Sequence, residues 1–568
     1  MHSMRRIGTL LGITMLIGTA TSGNRDLPAA DGTPAAIQFI REHETRIRPV
    51  EIEVSRAWWN ANTTGKDDDF AAKEKAENKL NGLLSNAAHF GQLKQIRAME
   101  IADPIVARQI QILYLQYLEK QVDPALLQRM TATANRIEKA FNVFRAKLDD
   151  KSLTDGEVRQ VLQKSTDTAE RRQVWEASKR VGAEIEPELR DLVRLRNEAA
   201  SSLGFENFHA LQLHLTELNQ AQVLKLFDEL DALTREPFSR AKAEIDRRLA
   251  KQYGIEVSDL RPWHYHDPFF QEPQNVYDAN LNGPFANADI QRICREFYSG
   301  IGLPIDDVLM RSDLYEKPGK SPHAFCTDID REGDVRVLAN IRPTEYWMGT
   351  MLHELGHAVY SSKNIPAEVP YVLRSEAHIL ATEGVAMMFE RFSKSADWLT
   401  AFGVEVADKQ QYSAAGARMR ADRLLIFSRW CQVMFRFEME LYRNPGQDLN
   451  RLWWDLVEKY QQLHRPVGRN APDYASKVHI VSAPVYYHNY MLGELFACQL
   501  HATIVRDVLK ETDAANAIYA RDPRVGEFMK AKVFSQGRIR SWNDLTRFAT
   551  GEELNPRAFA AEFAPAKK

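Results

Sequence analysis

His353-Glu354-Leu355-Gly356-His357 limits what this chain can fold into more than any other stretch. Two histidines four residues apart share a face on an α-helix. There both imidazoles can reach one metal ion, with the intervening glutamate beside it. The flanks predict that helix: Thr344 can cap it after Pro343, and Met348, Leu352, Leu355 and Val359 form an apolar stripe. A catalytic zinc needs a third protein ligand and an open position, so a second element must be laid against the first. The candidates are Glu376, 19 residues after His357, Glu383, 26 residues after it, and His378. Glu383 sits in TEGVAMMFERF, a second helical pattern able to present its carboxylate to the motif helix. Glu376 follows a Pro-rich loop, where a carboxylate suits the capping of that helix.

Helical periodicity dominates the rest of the chain. Val223, Leu226, Phe227, Leu230 and Leu233 form one apolar face behind an Asn219–Gln222 capping box. Residues 69–91, 126–148, 169–203 and 237–253 read in the same way. Alternation at Val335, Val337 and Ala339 after a turn at Gly333, together with Ser321–Ile329, predicts one hairpin just before the motif helix. Three irregular stretches, 261–275, 361–375 and 476–491, are rich in aromatic, His or Pro residues, the composition of loops that line clefts. The last of them offers His479, Tyr486, Tyr487, His488 and Tyr490 as donors for an oxyanion. Glu354 has the residue type and place of a general base that moves a proton from water to a leaving amine.

Composition narrows the classes. The 568 residues carry 74 Lys plus Arg against 77 Asp plus Glu, a net charge of −3, which argues against a nucleic-acid partner. At 44% hydrophobic and 27% charged, the chain has ample apolar content for a large core. The four cysteines, Cys294, Cys326, Cys431 and Cys498, are widely spaced and form no CxxC. Arg5 and Arg6, the apolar run Ile7–Gly18 and the small residues Thr19 to Gly23 read as a secretory signal over residues 1–23. The expectation is an exported protein, periplasmic or secreted, with residues 24–568 as a single catalytic domain. The alternative is an uncleaved N-terminal anchor.

Several motifs in order resemble the angiotensin-converting enzyme (peptidyl-dipeptidase A) family of zinc peptidases. They are VSRAWWNANTTG, LRDLVRLRNEAASSLGFENF at 189–208, SPHAFCTDID, VRVLANIRPTEYWMGTMLHELGHAVY, TEGVAMMFE and KVHIVSAPVYYHNY. The resemblance implies a mainly α, ellipsoidal fold with a deep central cleft between two helical halves. N-terminal helices would form a lid, and one small hairpin would stand beside the motif helix. It implies one Zn²⁺ per chain on His353, His357 and Glu383, with Glu354 as base and His479 and Tyr490 on the oxyanion. It further implies His323 and Ala324 along the substrate backbone, and Gln271, Lys477 and Tyr487 around its terminal carboxylate. The implied activity is release of C-terminal dipeptides from unstructured oligopeptides with a free C-terminus. An oligoendopeptidase, a single-residue carboxypeptidase and a non-catalytic peptide-binding homologue are the alternatives.

Three departures from the family's pattern carry expectations of their own. Met387 stands where the family has an Asp that orients a ligand, so another group, such as a backbone carbonyl, is expected to orient His357. Asn489 stands where chloride-responsive members have Arg, which argues against chloride activation. The spacing from His479 to the tyrosines is one residue out of step, which leaves Tyr486 and Tyr487 as alternatives at the carboxylate pocket.

Overall fold

The computed structural model describes residues 31–274 and 280–564, so the expected signal segment lies outside the described residues. Helices make up most of the chain, and among the described residues there are two sheets, each of two antiparallel strands. The expected hairpin is present: Phe325–Asp328 pairs with Val335–Leu338, with Cys326 opposite Val337. Val335, Val337 and Ala339 are buried in the main core, the side of the alternation that the core selects, while Leu338 on the opposite face is buried with Trp59 and Ile329.

Three helical expectations change at their ends. Residues 69–91 form two helices, Asp67–Leu84 and Ala87–Arg97, because the Asn86 side chain caps the second by accepting the His89 N–H at 3.0 Å. The helix expected over 126–148 stops at Val143, and Ala146–Leu148 pairs with Lys151–Leu153 in a second hairpin. Its two-residue turn places Asp149 at φ 50°, a conformation Asp tolerates. By contrast, the segments on either side of Pro237 are one helix, Gln220–Tyr253. Val223, Phe227, Phe238, Ile245 and Leu249 keep a single face of it in the core, and that burial outweighs the hydrogen bond lost at the proline.

The helices Thr33–Thr64, Ala87–Arg97 and Pro104–Glu119 enclose an apolar cluster of their own around Phe39, Ile47, Leu93 and Leu113. This layer lies over the hairpin formed by Phe325–Asp328 and Val335–Leu338: Trp58 packs on Phe325 with centroids 4.2 Å apart, the rings tilted by 54°. The main core holds the motif helix Glu345–Val359 against Ile379–Glu390, which in turn packs against Tyr487–Thr503. Those contacts are unusually close. A Cβ on Gly356 would lie 2.7 Å from Ala386 Cα, and one on Gly384 would lie 2.8 Å from the Gly493 carbonyl oxygen. Only hydrogen fits at either point, and the approach brings Glu383 onto the histidine face.

Gly356→Ala therefore overpacks a contact made by backbone and is expected to cost about 1–3 kcal/mol. Gly82→Ala, in a helix with nothing within 4 Å of the new Cβ, should gain about 0.5–1 kcal/mol. Thermal unfolding should rank Gly82→Ala above the parent and Gly356→Ala below it.

Candidate metal centre and the cleft beside it

The motif helix starts as the sequence predicts, with the Thr344 hydroxyl accepting the Trp347 N–H at 3.3 Å. One turn from its end, His353 and His357 point the same way, with their Nε2 atoms 3.2 Å apart. Glu383 Oε2 lies 3.7 Å from His353 Nε2, and the three donor atoms fall within 4.8 Å of one another. A tetrahedral zinc with bonds of about 2.0–2.1 Å needs ligand atoms roughly 3.3–3.4 Å apart, so the donor set fits that ion. Among the described residues this is the one such group of His, Cys, Asp and Glu. Glu376 and His378 stand outside it. His378, rather than Glu376, caps the Ile379–Glu390 helix, its Nδ1 accepting the Leu380 N–H at 3.0 Å, while its Nε2 meets the Thr216 carbonyl at 2.8 Å.

Both imidazoles are turned by their outer nitrogens. His353 Nδ1 donates to Glu390 Oε2 at 3.2 Å, and His357 Nδ1 is 2.8 Å from the Thr382 hydroxyl. That leaves both Nε2 atoms facing the same point. A side-chain hydroxyl, not the expected backbone carbonyl, orients His357, because Thr382 precedes the ligand on a helix already pressed against the motif. Neither partner was singled out from the sequence. Glu390 had a signal in its spacing, seven residues or two turns after Glu383 on one helix face.

The cluster is strongly electronegative. Burial disfavours a charged His353, but the Glu390 hydrogen bond and the charges of Glu354, Glu390 and Glu383 outweigh it and raise the group to about 9. Burial raises Glu383, and the nearby carboxylates Glu390 and Glu494 add to that. Glu390 is the exception: against its burial, Arg423 and His353 hold it well below the usual carboxylate range. A divalent cation satisfies such a donor set better than protons do. Glu354 is raised to about 7, chiefly by burial, with the Cys326 backbone N–H donating to it from the edge of the hairpin. A carboxylate with that value suits proton transfer near neutrality.

The late segment divides in two. Lys477 Nζ donates to Gln271 Oε1 at 2.8 Å, and its ammonium stands 5.6 Å from the Tyr487 ring and 5.3 Å from Trp430. Tyr487, not Tyr486, thus stands at the pocket of Gln271 and Lys477. His479 packs on Tyr487 with centroids 5.1 Å apart, and burial followed by the Lys477 charge lowers it to about 4, so its ring is neutral. Tyr487 meets Tyr490 at 5.9 Å, and Tyr490 faces Glu383, whose charge adds to burial in raising its phenol. A chain of rings therefore joins the lysine pocket to the metal cluster. Asp267 builds the loop that carries Gln271, its carboxylate accepting the N–H groups of Phe269, Gln271 and Glu272 at 3.0–3.3 Å. His323 is exposed and Ala324 half-buried, immediately before the strand that donates to Glu354. The four cysteines are free, and Asn489 is buried.

Comparison with known proteins gives one family model, described as angiotensin-converting enzyme, which matches residues 31–262 and 268–568. The mouse angiotensin-converting enzyme-like protein Ace3 is 24% identical over 574 residues, covering 93% of this chain and 75% of that protein. The angiotensin-converting enzyme of the golden hamster, Mesocricetus auratus, is 22% identical, over 93% of this chain and 42% of the enzyme. That of the fly Haematobia irritans exigua is 24% identical, over 72% of each. The chain thus spans less than half the length of the hamster enzyme.

Thr382→Val keeps the side-chain shape and removes the hydroxyl that orients His357. It should raise the dissociation constant for zinc about 10–100-fold, measured by chelator competition, with the helical circular dichroism unchanged.

Proposed function

The chain belongs to the angiotensin-converting enzyme family of metallopeptidases, and from that premise we propose that it is a zinc-dependent dipeptidyl carboxypeptidase acting on unstructured oligopeptides. The observation that carries the reading is the hydrogen-bonded pair Lys477–Gln271 under Tyr487, joined by rings to the His353, His357 and Glu383 cluster. A buried cation flanked by an amide and a phenol suits a terminal carboxylate, and an enzyme that cuts internally has no use for one. The distance from that pocket to the cluster then sets how many residues leave.

Held by His353, His357 and Glu383, zinc would supply Lewis acidity to a carbonyl oxygen and lower the pKa of water at the site. The remaining steps belong to the chain. Glu354 takes a proton and delivers it to the leaving amine. Tyr490, kept protonated beside Glu383, and neutral His479 present an O–H and an N–H to the oxygen that gains charge. Residues His323 and Ala324 offer backbone to the peptide at the hairpin edge, next to Cys326, whose N–H holds Glu354. The Trp58-bearing helical layer covers that edge and acts as the lid that excludes folded substrates. Export to the periplasm or exterior is part of the same reading. It is supported by the charged and apolar order of residues 1–23.

Mass spectrometry of products from a decapeptide and its C-terminal amide tests the proposal. Stepwise, chelator-sensitive loss of dipeptides from the free acid alone is the expected result. Internal cuts in both peptides would favour an oligoendopeptidase, and single-residue steps a carboxypeptidase.

The lysine also predicts a pH dependence. Burial lowers Lys477 to about 8, partly offset by Asp267. The cation that binds the carboxylate is present below that value and lost above it. For a free-acid peptide kcat/KM should therefore fall as pH rises through about 8. Lys477→Met should raise KM about 10–100-fold with little change in kcat.

A further inference from the structure

Tyr486 has no part in the steps above, yet it lies nearer the metal cluster than its neighbour at the lysine pocket. It caps the helix Tyr487–Thr503 and stands four residues before Tyr490, so the two share a face of the first turn. Their rings meet edge to face at 5.1 Å and 77°. Tyr487, one step on, is turned towards His479 and Trp430. Tyr486 instead faces Glu383 and Tyr490, which add to burial in pushing its phenol well above the usual range. A tyrosine placed only for packing buries its ring and gives its hydroxyl a partner. Tyr298 does so in this core, donating to the Leu352 carbonyl at 2.6 Å. No hydrogen bond from another described residue meets the hydroxyl of Tyr486 or Tyr490, and neither oxygen is among the sealed, unpaired atoms of the interior. Both hydroxyls are therefore open to solvent, beside Glu383.

The backbone before Tyr486 is held in a conformation that sets this phase. Val485 has φ 55°, a left-handed geometry that a β-branched residue rarely adopts. Its N–H donates at 2.6 Å to Glu438, which is buried and reaches in from the long helix Lys409–Arg443. Upstream, Arg196 donates to the carbonyls of Ile480 and Val481 at 2.9 and 2.6 Å and to the Tyr442 hydroxyl at 3.0 Å. The segment from His479 to Tyr486 is thus gripped at both ends by buried groups. A one-residue change of phase would turn Tyr486 about 100° away from the face of Tyr490.

We propose that Tyr486 is a second catalytic hydroxyl, donating with Tyr490 to the substrate carbonyl oxygen as it gains charge. The phenol keeps its proton throughout, so the step is hydrogen-bond donation and no bond to Tyr486 forms or breaks. The proposal rests on the peptidase reading but not on which peptide bond is cut.

The test uses the full chain loaded with zinc, as parent, Tyr486→Phe, Tyr490→Phe and the double variant. Rates are measured on whichever bond the parent cuts, alongside calorimetric affinity for a phosphinic peptide that mimics the tetrahedral oxygen. Tyr486→Phe should lower kcat about 10–100-fold, with KM within about threefold and zinc content unchanged. Affinity for the phosphinic peptide should fall by a similar factor, and the double variant should lose less than the product of the singles. A Tyr486→Phe variant within twofold of the parent in both measurements would overturn the proposal. So would a loss of activity that tracks loss of zinc, since it would assign Tyr486 to holding the metal cluster together. Cleavage at an unexpected bond would contradict the dipeptide reading alone, and the phosphinic peptide reads the hydroxyl even if no peptide is cut.

Discussion

Two contacts made without a Cβ, Gly356 on Ala386 and Gly384 on Gly493, bring three helices together more closely than other residues allow. The metal-binding geometry depends on them. His353 and His357 are matched by the helix repeat, but a third ligand from another helix reaches them only if the two backbones nearly touch. With Gly384 pressed on the helix Tyr487–Thr503, the same packing brings Tyr490 to Glu383. The His353, His357 and Glu383 cluster and Tyr490 are thus registered by one stack of helices.

Charge is arranged with opposite signs along the cleft. Glu354, Glu383 and Glu390 crowd one end beside two imidazoles, a charge that a divalent cation would satisfy, and Arg423 secures the outermost carboxylate. Lys477 stands at the other end, with Asp267 behind it and Gln271 on it. On the proposed function, a peptide entering with its negative terminus would be drawn to the lysine and repelled by the carboxylates, which would orient it before any specific side chain is read. Burial makes both ends effective, because a low-dielectric wall strengthens each interaction and raises the cost of reversing the peptide.

What could be read from the sequence follows the range of the interactions. The motif helix, its Thr344 cap and the hairpin before it are local patterns, and all three are present. The break at Asn86 and the Asp149 turn were missed because a single capping or turn residue outweighed helical periodicity on both sides. The helical pattern around Glu383 favours it over Glu376, and the resemblance agrees. What separates them in the structure is the helix contact at Gly356, which no one-dimensional spacing contains. Lys477 and Gln271 are 206 residues apart, so only the resemblance pointed to their meeting. Thr382 and Tyr486 were hidden for a related reason. Each takes its role from the side of a helix that faces the metal cluster, and that side is set by packing partners far away in the chain.

His353, His357 and Glu383 would hold one zinc ion at the meeting of these helices. Anomalous diffraction at the zinc edge from crystals of the loaded protein tests it most directly. One peak per chain is expected, about 2.0–2.1 Å from both Nε2 atoms and from a Glu383 carboxylate oxygen. A peak bound by Glu376 or Cys326, or none between the two histidines at full zinc loading, would contradict it.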